Sequence, residues 1–228
     1  MRRASTTALT LATLTALACG DIAAPIRDDL YEWRLIVPSG ATADTVHFHW
    51  ARADLPVRVW VEPVGTLPEL MQRAIDTWES VYLYREFQAR LVSDSATADV
   101  LVRGAAAPGP SKAQAGVRRL HSGLAPECSG ATDLDVSPDL SELRLPIRIF
   151  ITPVSGNVPN LDRCLGLTTI HELGHALGIF AHSPNQTDIM YADPVVEEPS
   201  LLDRETAEAL YHLPPTITAV RAVPATVE

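Results

Sequence analysis

The chain has 228 residues, 46% of them hydrophobic and 20% charged, with a formal net charge of −10. That length suits one domain with a sizeable core, and the composition is globular rather than disordered, collagenous or disulfide-dense. The acidity argues against nucleic acid as a partner, which calls for clustered Lys and Arg; it favours solubility and only mildly steers cationic substrates.

Arg2 and Arg3 precede an apolar stretch from Ala8 to Leu17. The stretch is too short to span a bilayer and suits a signal peptide over residues 1–18. Two processing readings meet at one bond. Ala16-x-Ala18 is a small-residue site for a secretory peptidase, while Ala16-Leu17-Ala18-Cys19 resembles a bacterial lipoprotein box in which Cys19 is lipidated. Leucine is usual in that box where Ala16 stands. Either reading exports the protein, as a cell-envelope lipoprotein or in free form, and loss of Arg2 and Arg3 shifts the charge from −10 to −12. With three cysteines, an odd one needs a reason in an oxidising compartment. A Cys128–Cys164 disulfide leaves Cys19 for lipid; two buried reduced thiols are the alternative. Any membrane contact is then through the N-terminal lipid alone.

Residues 19–44 hold Pro25, Asp28, Asp29, Pro38 and Gly40 and read as a tether or a loosely packed N-terminal entry. His47 to Trp50 suggests a short strand, with His47 and His49 on one face as structural or solvated groups. Leu55 to Val61 alternates after Pro56 and reads as a strand. From Pro68 to Tyr82, the positions Leu70, Met71, Ala74, Ile75, Trp78 and Val81 recur at helical spacing and predict a core face. Phe87–Val92 and Ala98–Val102 are further strand candidates. Residues 104–146 read mostly as loop. Asp133, Asp135, Asp139 and Glu142 are of the type that ligates Ca2+, but their spacing matches no EF-hand, so a solvated acidic loop is the reading preferred. Ile147 to Ile151 is a strand ending at Pro153. Helices are expected over 161–178 and, capped by Ser200, through Leu202, Ala207, Leu210 and Tyr211. The tail 213–228 offers little to pack. Neither repeats nor a second folded domain are evident.

The segment His171 to His182 reads H-E-x-x-H-x-x-G-x-x-H and holds three of the chain's seven histidines. Residues four apart share a helix face, so His171 and His175 can hold one ion between their imidazoles. Gly178 lets the chain leave the helix by a conformation cheap only for glycine, bringing His182 back as a third ligand. Three imidazoles leave the fourth position of a tetrahedral zinc open to water, as a catalytic site requires. Glu172, beside the first ligand, is placed to take the water's proton.

Eight residues past His182 stands Met190, in Asp188-Ile189-Met190-Tyr191. Here the chain resembles the metzincin zinc metalloproteases, and among them the matrixins, the matrix metalloproteinase-type catalytic domains, in which serine follows the third histidine as Ser183 does. The resemblance is closest over about 165–195 and extends over about 55–212. It implies an α/β (α+β) fold, a twisted mixed β-sheet with packing helices and an active-site cleft, within a catalytic domain spanning 45–212. It also implies one catalytic Zn2+ on His171, His175 and His182, Glu172 as general base, Met190 in a structural turn beneath the metal, and an edge strand that binds extended peptide. Ala192 replaces the proline usual after Met-Tyr, with proline delayed to Pro194. Tyr191 stands one residue after Met190, not two, so it is not counted as a ligand. Only His121 lies where related vertebrate proteins hold a second zinc, and no Pro-Arg-Cys-Gly segment or haemopexin-like repeat is present. The expectation is an exported, monomeric, zinc-dependent endopeptidase acting on protein or peptide through a zinc-activated water. A zinc hydrolase of cell-wall peptides or amides is one alternative. A surface-anchored binding protein with an unproductive zinc site is the other, and the intact Glu172 speaks against it.

Overall fold

The computed structural model describes residues 30–39, 42–109, 117–122, 128–153 and 160–221; the expected signal peptide and Cys19 lie outside them. The helical spacing near residue 70 becomes α1, Leu67–Glu79, with Pro68 in its first turn, where no intrahelical N–H is needed. Its buried stripe is Leu67, Leu70, Met71, Ala74, Ile75 and Trp78. The motif helix α2, Leu161–Leu177, is buried on every side from Leu167 onward, so it is a core element. The indoles of Trp78 and Trp50 donate to the Ile170 and Ala176 carbonyls at 2.8 and 3.0 Å, fastening α2 to its surroundings. The last helix, α3, Leu201–His212, begins with a reciprocal capping box between Ser200 and Asp203.

Helices α1 and α2 pack with a mixed sheet. Its first strands are β3 (Val57–Val61), β4 (Ala89–Val92) and β5 (Val100–Arg103), following the hairpin β1 (Leu35–Ser39) and β2 (Thr42–Val46), which forms its own sheet. Then come β6 (Val117–Ser122), β7 (Cys128–Val136), β8 (Glu142–Pro153) and β9 (Thr218–Arg221). The strand order is β4-β3-β5-β8-β7-β6. Neighbours from β4 to β8 run parallel, while β7 opposes β8 and β6 opposes β7. The mixed α/β class expected from sequence is therefore present.

Several readings of the sequence are corrected. Residues 30–44 are not merely a tether: Tyr31 and Val37 are buried and most of the β1–β2 hairpin lies there. His47 to Trp50 forms no strand, although Phe48 and Trp50 are core residues. The run 104–146 contains β6, β7 and the start of β8. Strand β8 outruns its expected start because Glu142–Leu145 pair with β9, and Pro146, which lacks an N–H, is tolerated where the parallel partner changes to β5 (Ile147–Phe150). The tail is packed as far as Arg221. There Ile217 is fully buried, and the Arg221 guanidinium joins that of Arg58 on the buried Asp99 at 2.7–3.0 Å.

The acidic side chains of this region are spent separately. Asp133 is buried in a two-pronged pair with Arg119 at 2.5 and 2.7 Å, so it is not solvated. Asp135 faces Arg144 at 3.7 Å, and Asp139 accepts from the Ser137 and Ser141 hydroxyls. Cys128 and Cys164, 36 residues apart, are joined in a disulfide that ties the start of β7 to the first turn of α2. A loop of that length corresponds to roughly 4 kcal/mol in the chain-entropy account.

Candidate metal centre

Helix α2 stops at Gly178, whose φ of +119° belongs to glycine, and a Cβ there would collide with the Phe48 carbonyl. The Gly178 and Ile179 amides close the helix on the His175 and Gly174 carbonyls at 3.1 and 3.2 Å. The next two amides, of Phe180 and Ala181, both donate to the Trp33 carbonyl at 2.7 and 3.1 Å, and the Ser183 amide donates to the Met190 carbonyl at 2.9 Å. The backbone carrying His182 is therefore held on both sides.

These constraints bring together the three histidines named from sequence. His175 Nε2 lies 3.1 Å from His171 Nε2 and 3.3 Å from His182 Nε2, and the three donor atoms all lie within 4.8 Å of one another. The outward nitrogens settle the tautomers. His171 Nδ1 is 2.7 Å from the Ile189 carbonyl and His175 Nδ1 is 2.6 Å from the Ile179 carbonyl. A carbonyl only accepts, so each Nδ1 carries the proton, and each neutral ring turns an Nε2 lone pair inward. Burial pushes the His171 pKa down to about 3. Burial first, then repulsion from His171 and His182, lowers that of His175 well below the usual range, and burial also lowers that of His182. Neutral lone pairs facing one another at 3.1 Å suit a shared cation. A tetrahedral zinc about 2.0–2.1 Å from each nitrogen would separate its ligands by about 3.3 Å. The donor set fits the metal.

Met190 is fully buried, with its sulfur and the Trp78 ring where a Cβ on Gly174 would stand. Its turn hangs on Asp203, which sequence reasoning did not single out. Asp203 Oδ2 accepts from the Ile189 amide at 2.8 Å and the Ser200 amide at 2.9 Å, and Oδ1 accepts from the Tyr31 hydroxyl at 3.0 Å. Burial raises the Asp203 pKa, and it raises that of Tyr31 together with the Asp203 charge. Ser200 three residues before Asp203 is a visible capping signal, whereas Tyr31 gives none.

Glu172 is fully buried, and its carboxylate points at β7, where Thr132 Oγ1 donates to Oε2 at 2.6 Å. His47 and His49 stand apart from the triad, against the Pro214 and Leu213 carbonyls at 2.6 and 3.0 Å. A cavity of about 380 Å³ lies between α1 and α2, lined by Leu70, Arg73, Leu167, Ile170 and Glu198 among others; none of the three histidines lines it. No protein-family model matches this chain, and no characterised protein matches it in sequence.

Proposed function

We propose that this protein is an exported zinc-dependent endopeptidase of the metzincin type, similar to the matrixins. The observation that carries the reading is the convergence of three neutral imidazoles, with Glu172 on the same buried helix turn. His171, His175 and His182 would hold the metal, and a protein or peptide would be the substrate. When bound, zinc supplies Lewis acidity toward a water and toward the scissile carbonyl. Glu172 takes a proton as water adds to the carbonyl carbon, then returns it to the departing amine nitrogen, so the peptide C–N bond is exchanged for C–OH and N–H. The carbonyls of Ile189 and Ile179 keep the first two rings in the ligating tautomer throughout. The Cys128–Cys164 bridge supports export, since disulfides persist in oxidising compartments.

Zinc analysis together with cleavage of an unbiased peptide library, wild type beside Glu172→Ala, tests this reading. One zinc per chain in both proteins is expected, with cleavage by the wild type and a loss of at least about a hundredfold in the variant. Wild-type cleavage undiminished in Glu172→Ala removes the base assignment. One zinc without peptide cleavage moves the assignment to cell-wall peptides or amides.

A further inference from the structure

Glu172 does not reach into open space; it lies on strand β7. Gly130 and Thr132 are two residues apart on that strand and therefore share a face. A Cβ at Gly130 would collide with the Glu172 carboxylate and stand 2.7 Å from Thr168 Cγ2. At the next position on that face, the buried Thr132 hydroxyl donates to Glu172 Oε2 at 2.6 Å and lies 3.3 Å from the Glu172 carbonyl. The platform is stiff, because β7 is paired on both sides, by β8 and β6, and the Cys128–Cys164 bridge ties it to α2 two residues before Gly130. One residue thus opens room for the carboxylate and its neighbour holds one of its oxygens.

We infer that Gly130 and Thr132 form a cradle that positions Glu172 as the proton acceptor. Both are positioning residues, and neither needs to touch substrate. The inference rests on the hydrolase reading above. A glutamate has three rotatable side-chain bonds, and catalysis by a base depends on holding it within hydrogen-bond reach of the proton it removes. A methyl group in place of the Thr132 hydroxyl keeps shape and volume but removes the donor, while serine keeps the donor.

The test compares Thr132→Val, Thr132→Ser and Gly130→Ala with wild type, all zinc-loaded. Thr132→Val is expected to lower kcat by ten- to a hundredfold with KM and zinc affinity little changed. Thr132→Ser should stay within about threefold of wild type, and Gly130→Ala should lose at least as much kcat as Thr132→Val. A wild type that cleaves peptide beside an equally active Thr132→Val overturns the cradle and leaves the hydrolase reading intact. For a zinc-loaded wild type that cleaves no peptide, acetohydroxamate affinity gives the readout, since its acidic proton passes to a neighbouring carboxylate when it chelates. Binding about tenfold weaker in Thr132→Val than in Thr132→Ser then supports the cradle, and equal binding overturns it. A wild type that takes up no zinc overturns both readings together.

Discussion

Two backbone oxygens, those of Ile189 and Ile179, decide which nitrogens of His171 and His175 face inward. The same burial that keeps the rings neutral makes the metal-free protein acid-sensitive. A histidine in the unfolded chain titrates near 6.5, whereas burial holds His171 at about 3 and lowers His175 and His182. Below about pH 6.5 the unfolded chain therefore binds protons that the folded chain refuses. The stability of the metal-free form is complete above that pH and falls as pH is lowered, with His171 contributing at most about 1.4 kcal/mol per pH unit between about pH 6.5 and 3 and the other two acting in the same direction. Urea unfolding of zinc-stripped protein should show a clearly lower midpoint at pH 5 than at pH 7.5, and equal midpoints would count against neutral buried rings. The triad was legible in the sequence because helix periodicity and one glycine encode it locally. Its supports were not. Phe48, whose carbonyl meets Gly178, and Thr132, which meets Glu172, are reached only through the fold.

At the scale of elements, helices read well and polar strands did not. The α1 stripe and the α3 cap are local patterns, and both appear where the sequence places them. Strand β7 reads Cys-Ser-Gly-Ala-Thr-Asp-Leu-Asp-Val and lacks apolar alternation. Its small and polar side chains are buried because Glu172 and Arg119 come to meet Thr132 and Asp133. Residues 30–46 were similarly hidden, since their anchors stand far along the chain. The Tyr31–Asp203 hydrogen bond spans 172 positions. Tyr31→Phe removes a buried donor from a carboxylate that also holds the Ile189 amide, and should cost about 1–3 kcal/mol, or roughly 2–10 °C in Tm for a domain of this size. Calorimetry checks this; a Tm within 1 °C of wild type would show that Tyr31 contributes packing alone.

For the molecule as a whole, both ends of the described chain are fastened. Arg221 locks β9 onto Asp99, and the first described residues lie against the motif loop. Burial alone would raise the Asp99 pKa, but hydrogen bonds from Arg58 and Arg221 outweigh it and hold the carboxyl below its usual value. The lock is therefore kept at neutral pH and released as acid titrates Asp99. Eleven residue steps separate Cys19 from Leu30, a reach of at most about 40 Å. A lipid on Cys19 would thus keep the folded domain close to its membrane. Intact mass of the mature protein should show a chain beginning at Cys19 and carrying acyl mass, with Cys19→Ser released into the medium. An unmodified mature chain lacking Cys19 would establish ordinary secretion.

The Trp33 carbonyl, which accepts both amides just ahead of His182, also sets an order of assembly. During synthesis, and during any export that leads with the N-terminus, residues 31–34 emerge first and have no dock until residues 180–203 follow. The third imidazole is thus secured only when almost the whole domain has cleared the ribosome or the membrane channel. A nascent chain thus carries all three imidazoles before it can hold them together.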